Sequence, residues 1–217
     1  GNGKLPKFDL TPRDFIAFSE KDLEEEAHDP YKLVNATSNL KRAVDCQLDS
    51  ILSFLNIDEL YRQKRLGVDR KLGFMKIAGI FNARSLEKLN KYRNRLEHHY
   101  ELPNVEDVDV YFDVVSAFVS IGENIVSNLM AMGGHVGHVC EVGTNIRVHS
   151  EIDFAIPSIS LNVEDKNFMI SLDKASKPTV DDIENFAFLL RNHILLIHLY
   201  NGAINNDRLV SDLRKEI

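Results

Sequence analysis

Residues 33–55 read LVNATSNLKRAVDCQLDSILSFL. Leu33, Leu40, Val44, Leu48, Ile51 and Leu55 recur at spacings of three, four and seven, which a period of 3.6 places on one face. The stretch is therefore a long amphipathic helix whose wide apolar stripe must be buried against other elements. Upstream, Thr11-Pro12-Arg13-Asp14 supplies a capping residue, a proline at the first helical position and an acid at the third. That signature opens a helix through about Ala27, which His28-Asp29-Pro30 breaks. Downstream, a shorter helix runs from Asp58 to Arg65, with Gly67 ending it. Residues 69–81 are compatible with a helix weakened by Gly73 and Gly79. Ser85 caps a further helix that Pro103 terminates, and residues 104–107 read as the next cap. The run Val110, Val114, Val115, Phe118, Ile121, Ile125 and Leu129 then fits a long helix, interrupted by Gly133-Gly134 and Gly137. The fold class predicted is mainly α: an antiparallel helical bundle over residues 1–132.

Beyond the glycines the pattern changes period. Ser158-Ile159-Ser160-Leu161-Asn162-Val163 alternates, Glu164-Asp165-Lys166-Asn167 is turn chemistry, and residues 168–172 are again β-prone. A third strand is expected near residues 146–154. Pro178-Thr179-Val180-Asp181-Asp182 opens a helix reaching Tyr200, closed by Gly202. Residues 133–217 thus read as a small α/β C-terminal extension, a β-hairpin or three-stranded sheet plus one helix.

The 217 residues are 44% hydrophobic, with 12 Phe and no Trp, ample for a packed core. No stretch of roughly 18 consecutive apolar residues is present, so no membrane partner is expected. Gly1-Asn2-Gly3-Lys4 has no signal-peptide core and reads as a processed start. Two cysteines, Cys46 and Cys140, are too few for a disulfide framework, and a cytoplasmic location is expected. Net charge is −7, yet residues 62–99 hold eleven Lys/Arg against Asp69, Glu87 and Glu97, a local +8 that leaves −15 to the rest. A basic segment on an acidic body is the footprint of a local anionic ligand.

Within that segment lies Lys91-Tyr92-Arg93-Asn94-Arg95-Leu96-Glu97-His98-His99-Tyr100. Cleaving RNA without a metal uses the ribose 2′-hydroxyl as nucleophile. One group must take its proton, another protonates the leaving oxygen, and a cation must stabilise the phosphorane. Histidine suits proton transfer because its pKa lies near working pH. Arginine suits the last task, being permanently charged and forked to match phosphate oxygens. On a helix Arg93 and Tyr100, seven apart, share one stripe, and Asn94 and His98, four apart, share the adjacent one. Leu89 and Leu96 border that polar edge with an apolar seam, which suits a site at a helix–helix or subunit interface.

These residues resemble the signature of HEPN domains, helical bundles carrying arginine, often followed by asparagine, then histidine four to six residues on. A branch partnered with nucleotidyltransferase-like antitoxins adds a tyrosine two after the histidine, and Arg93-Asn94…His98-His99-Tyr100 matches both forms. The resemblance covers about residues 30–130. It implies a homodimer with one composite site, possessing metal-independent endoribonuclease activity that leaves a 2′,3′-cyclic phosphate. His98 would then be the acid/base, Arg93 the phosphate ligand, Asn94 a positioning group and Tyr100 a supporting residue. Lys91, Arg95 and His99 would bind substrate RNA, with no cofactor and no metal. A toxin or defence effector of this kind implies an antitoxin protein as partner. The alternative is a non-catalytic HEPN-like module for dimerisation or for nucleotide or RNA binding.

Three other patterns compete. Arg191-Asn192-His193, followed by His198 and Tyr200, repeats the order in apolar surroundings and reads as core or interface residues. His135, His138, Cys140 and His149 offer metal-ligand types without paired knuckles, and a glycine-rich linker is the better account. Cys46 falls on the apolar face of the long helix and reads as core. No Gly-rich phosphate loop, GxSxG elbow or HExxH motif occurs.

Overall fold

The computed structural model describes residues 3–24, 29–81, 84–85, 87–88, 91, 94–95, 104–142 and 144–214, without the side chains of 139–145, 210 and 212–214. Helices α1 (Pro12–Glu24), α2 (Pro30–Phe54), α3 (Asp58–Gln63), α4 (Val68–Ile77) and α5 (Val105–Met132) come first. Strands β1 (His135–Val142), β2 (Thr144–Asp153), β3 (Ser158–Val163) and β4 (Lys166–Ser171) follow, then α6 (Val180–Tyr200) and α7 (Asn206–Arg214). The chain is thus mainly helical, with a four-stranded antiparallel sheet and C-terminal helices. Residues 69–81, ambiguous in sequence, hold all of α4 but its first residue.

α1 and α2 form an antiparallel hairpin. Lys32 pairs with Asp22 at 3.7 Å near the turn, and Cys46 lies 3.7 Å from the Leu10 carbonyl at the far end. Cys46 is therefore only half-buried at the helix edge, not in the core. Leu40, Ala43, Val44, Leu48 and Ile51 bury the α2 stripe. α5 packs along α2 at Gly122, where a Cβ would stand 2.5 Å from the Gln47 amide and 3.2 Å from Ile51 Cδ1. Asn104 caps α5, accepting from the Asp107 backbone N–H at 2.8 Å, as the sequence predicts. By length and apolarity α5 could cross a bilayer, with mean hydropathy 1.4 over its best window. Val108, Val115, Phe118, Val119 and Leu129 are instead buried within the protein, which makes α5 a core helix.

The sheet is a meander in the order β1-β2-β3-β4. The hairpin and third strand expected from sequence are β3, β4 and β2. The fourth, β1, occupies the stretch read as a glycine-rich linker, which is the main correction to the sequence reading. Gly134 starts it with φ +88°, and a Cβ there would stand 2.5 Å from the Ile152 carbonyl oxygen. One face of the sheet, with Val136, Val148, Ile152, Ile159 and Leu161, is buried against α6. The other presents His135, His149 and Glu151 to solvent.

α6 joins the two halves. It opens with a capping box between Thr179 and Asp182 and packs on all four strands as well as on α4 and α5. Phe186 stacks on Phe74 with centroids 6.5 Å apart, while Phe54 at the end of α2 meets Phe154 at 4.9 Å. A single hydrophobic core consequently runs through the change of secondary structure at residues 132–133.

Four helices end in the same way. After α2, α3, α4 and α6, a residue with φ between +54° and +72° (Asn56, Arg65, Gly79, Gly202) lets two amides reach back into the last turn. Ile57, Leu66, Ile80 and Ala203 supply the bonds that span five residues, at 2.8 to 3.0 Å. Glycine at such a position costs nothing and asparagine little, whereas arginine is unusual there.

Candidate nucleic-acid interface

The stretch read from sequence as resembling an RNA-cleavage signature follows α4. Arg84, Ser85, Glu87, Lys88, Lys91, Asn94 and Arg95 are helical, and all but Ser85 are exposed. Glu87 pairs with Lys76 of α4 at 3.7 Å, which ties the start of this helical stretch to the bundle. Lys91, Asn94 and Arg95, expected to bind or position substrate, are therefore solvent-facing. Arg93, His98, His99 and Tyr100, together with Leu89 and Leu96 of the seam, lie outside the described residues.

The rest of the basic segment is distributed over α3, α4 and the loop between them. Arg62, Lys64, Arg65, Arg70 and Lys76 are exposed and Lys71 is partly buried. Arg62 is held by Asp58 and Glu59, both at 2.8 Å, and Arg70 reaches Glu184 at 3.5 Å. Lys71 pairs with Asp49 of α2. Arg65 makes no such pair among the described residues.

Beside these cations lies a cavity of about 250 Å³ that the sequence reading missed. An extended arm, residues 3–10, crosses α2. Gly3 is pressed on Phe54, where a Cβ would stand 2.6 Å from the carbonyl oxygen. Pro6 and Phe8 of the arm, Leu52 and Ser53 of α2, and Leu66 form much of the lining. Tyr61, Arg62, Arg65 and Lys71 complete it with Asp49 and Asp58. Burial, and then the nearby Glu184 carboxylate, push the Tyr61 hydroxyl well above its ordinary pKa, so it stays a phenol. No sequence periodicity could announce this cavity, because its walls come from four separate segments.

Of the second Arg-Asn-His pattern, Asn192 and His193 are buried, while Arg191 and His198 are only partly so. Asn192 is buried and donates to the Phe188 carbonyl at 2.9 Å. His193 is fully buried, with Nδ1 2.9 Å from Ser150 Oγ, which itself donates to the Ser160 carbonyl at 2.9 Å. The serine has one hydrogen and spends it on Ser160, so His193 must donate Nδ1–H, leaving Nε2 without a partner among the described residues. Burial, and then the charges of His135 and His149, lower its pKa to about 4. Arg191 lays its side-chain stem over Gly79, its Cγ 3.3 Å from where a Cβ would be. Burial lowers the pKa of His198, and Tyr200 is exposed.

The histidines of the former linker do not converge. Strand alternation puts His135 and His149 on the solvent face, with rings 6.5 Å apart, and His138 on the other, where its Nε2 lies 2.9 Å from Asn206 Oδ1. Among the described residues no group of three His, Cys, Asp or Glu could hold a metal ion.

No protein-family model matches this chain, and neither the curated proteins nor the solved structures contain a significant match to it.

Proposed function

We propose that the chain is a metal-independent endoribonuclease of the HEPN type, acting as a toxin or defence effector. The observation that carries this reading is the order Arg93-Asn94…His98-His99-Tyr100 in a basic segment of which Lys88, Lys91, Asn94 and Arg95 are helical and exposed. His98 takes the 2′-hydroxyl proton, and the 2′-oxygen attacks phosphorus. The 5′-oxygen leaves after receiving a proton from water, and a 2′,3′-cyclic phosphate remains. Arg93 offsets the charge that builds on the nonbridging oxygens, Asn94 orients the group, and Tyr100 supports it. Lys91, Arg95 and His99 hold the flanking backbone of the RNA. Two copies of the bundle bring two such stretches together in a homodimer, and the acidic remainder of the surface suits an antitoxin partner.

Incubating the purified protein with a mixed RNA pool in EDTA, beside His98→Ala, tests the reading. The expected result is cleavage with cyclic-phosphate ends, reduced by about 10²- to 10⁴-fold in the variant while melting temperature and dimer state persist. Intact RNA with both proteins would favour the second reading, a non-catalytic nucleotide- or RNA-binding module. The 250 Å³ cavity is the observation on that side.

A further inference from the structure

We propose that the cavity beneath the N-terminal arm is a nucleotide-binding site, separate from the Arg93–His98 stretch and independent of whether that stretch cleaves RNA. Size is the first constraint. At about 250 Å³ it falls just under the ~300–1,000 Å³ of drug-sized ligand sites, so it suits one nucleotide and not a longer ligand. Chemistry is the second. Pro6, Phe8, Leu52 and Leu66 give the lining an apolar and aromatic part that accepts a planar heterocycle. Asp49 and Asp58, which hold Lys71 and Arg62, keep further lone pairs for ring or exocyclic N–H groups, as does Ser53 in the same lining. Carboxylates in the lining disfavour a hydrocarbon chain, since burying them against it would leave them unsolvated.

The third constraint is the cation. Arg62 and Lys71 are already paired with carboxylates, so the charge left for an anionic ligand is Arg65. Its position is costly. Arg65 has φ +54° at a helix end where three other helices of this chain use Asn or Gly, and Lys177 takes φ +51° after the turn at Lys174–Ser176. Arg65 lines the cavity, is exposed, and makes no ion pair among the described residues, which leaves its guanidinium available to a phosphate at the rim. A base in the slot and a phosphate at the rim define a nucleotide, either free or as one unit of an RNA strand.

Titration calorimetry on the full chain tests this with the four nucleoside 5′-monophosphates, adenosine, inorganic phosphate and a 2′-O-methylated RNA pentamer. At least one monophosphate or the pentamer is expected to bind once per chain, with adenosine and phosphate alone weaker by about tenfold or more. Arg65→Gly should lose about tenfold in affinity while its melting temperature holds or rises, since glycine relieves the backbone. Phe8→Ala should weaken binding without moving the phosphate dependence. Binding of a monophosphate assigns a free nucleotide, and binding of the pentamer alone assigns an RNA unit. The proposal is overturned if no probe binds, or if Arg65→Gly and Phe8→Ala bind as the wild type does. Because His98 is untouched in these variants, failure here leaves the cleavage reading standing, and failure of cleavage leaves this site standing.

Discussion

His193 is a neutral imidazole enclosed between its helix and the sheet, and its chemistry is dictated by Ser150, its one side-chain partner among the described residues. Protonation would bury a charge, and its folded pKa of about 4 lies below the ordinary value near 6.5. The unfolded chain therefore binds the proton first as pH falls. Stability is complete above about pH 6.5 and declines on acidification through pH 4, by up to about 3 kcal/mol from this group. Thermal melts between pH 7 and 4 should show the decline, and His193→Leu should flatten that part of the profile while lowering stability at pH 7. A profile identical in the two proteins would remove His193 from the account. Residues of this kind were half legible. The apolar neighbours of Arg191-Asn192-His193 announced burial, but the partner, 43 positions away, could not be read from the local pattern.

Helix caps were the most legible elements, because a cap is written within four residues. Asn104 and Thr179 both act as their spacing predicts. β1 was illegible for the complementary reason. His135-Val136-Gly137-His138 carries two glycines nearby and little apolar alternation, and it becomes a strand through its ladder with β2. α7 rests on the buried Leu209, too small a signal for a period. The contact of α5 with α2 at Gly122 makes a sharp prediction. Gly122→Leu should cost about 1–3 kcal/mol by overpacking against Gln47 and Ile51, although glycine is the poorer helix former. Chemical denaturation checks this, and an unchanged midpoint would mean that the two helices separate freely there. For the candidate interface, the sequence located a basic stretch whose described residues are exposed and helical, but the cavity beside it required tertiary structure.

At the scale of the whole molecule the core is continuous. Phe186 of α6 is fully buried and stacks on Phe74 of α4, while the same helix covers the sheet. Phe186→Ala should cost about 3–5 kcal/mol. The loss should appear equally in a probe of the helices (residues 12–132) and a probe of the sheet (residues 135–171), as one coincident transition. Two separated transitions would instead make residues 133–217 an independent folding unit.

The embrace of Phe54 by Phe154 has a consequence for biosynthesis. The partner of Phe54 is encoded about a hundred residues later, and Phe186, which covers Phe74, emerges later still. A nascent chain leaving the ribosome therefore carries the α1–α2 hairpin with its greasy end uncovered for the time needed to translate the sheet. Vectorial synthesis makes this the window in which holdase chaperones would engage the growing polypeptide.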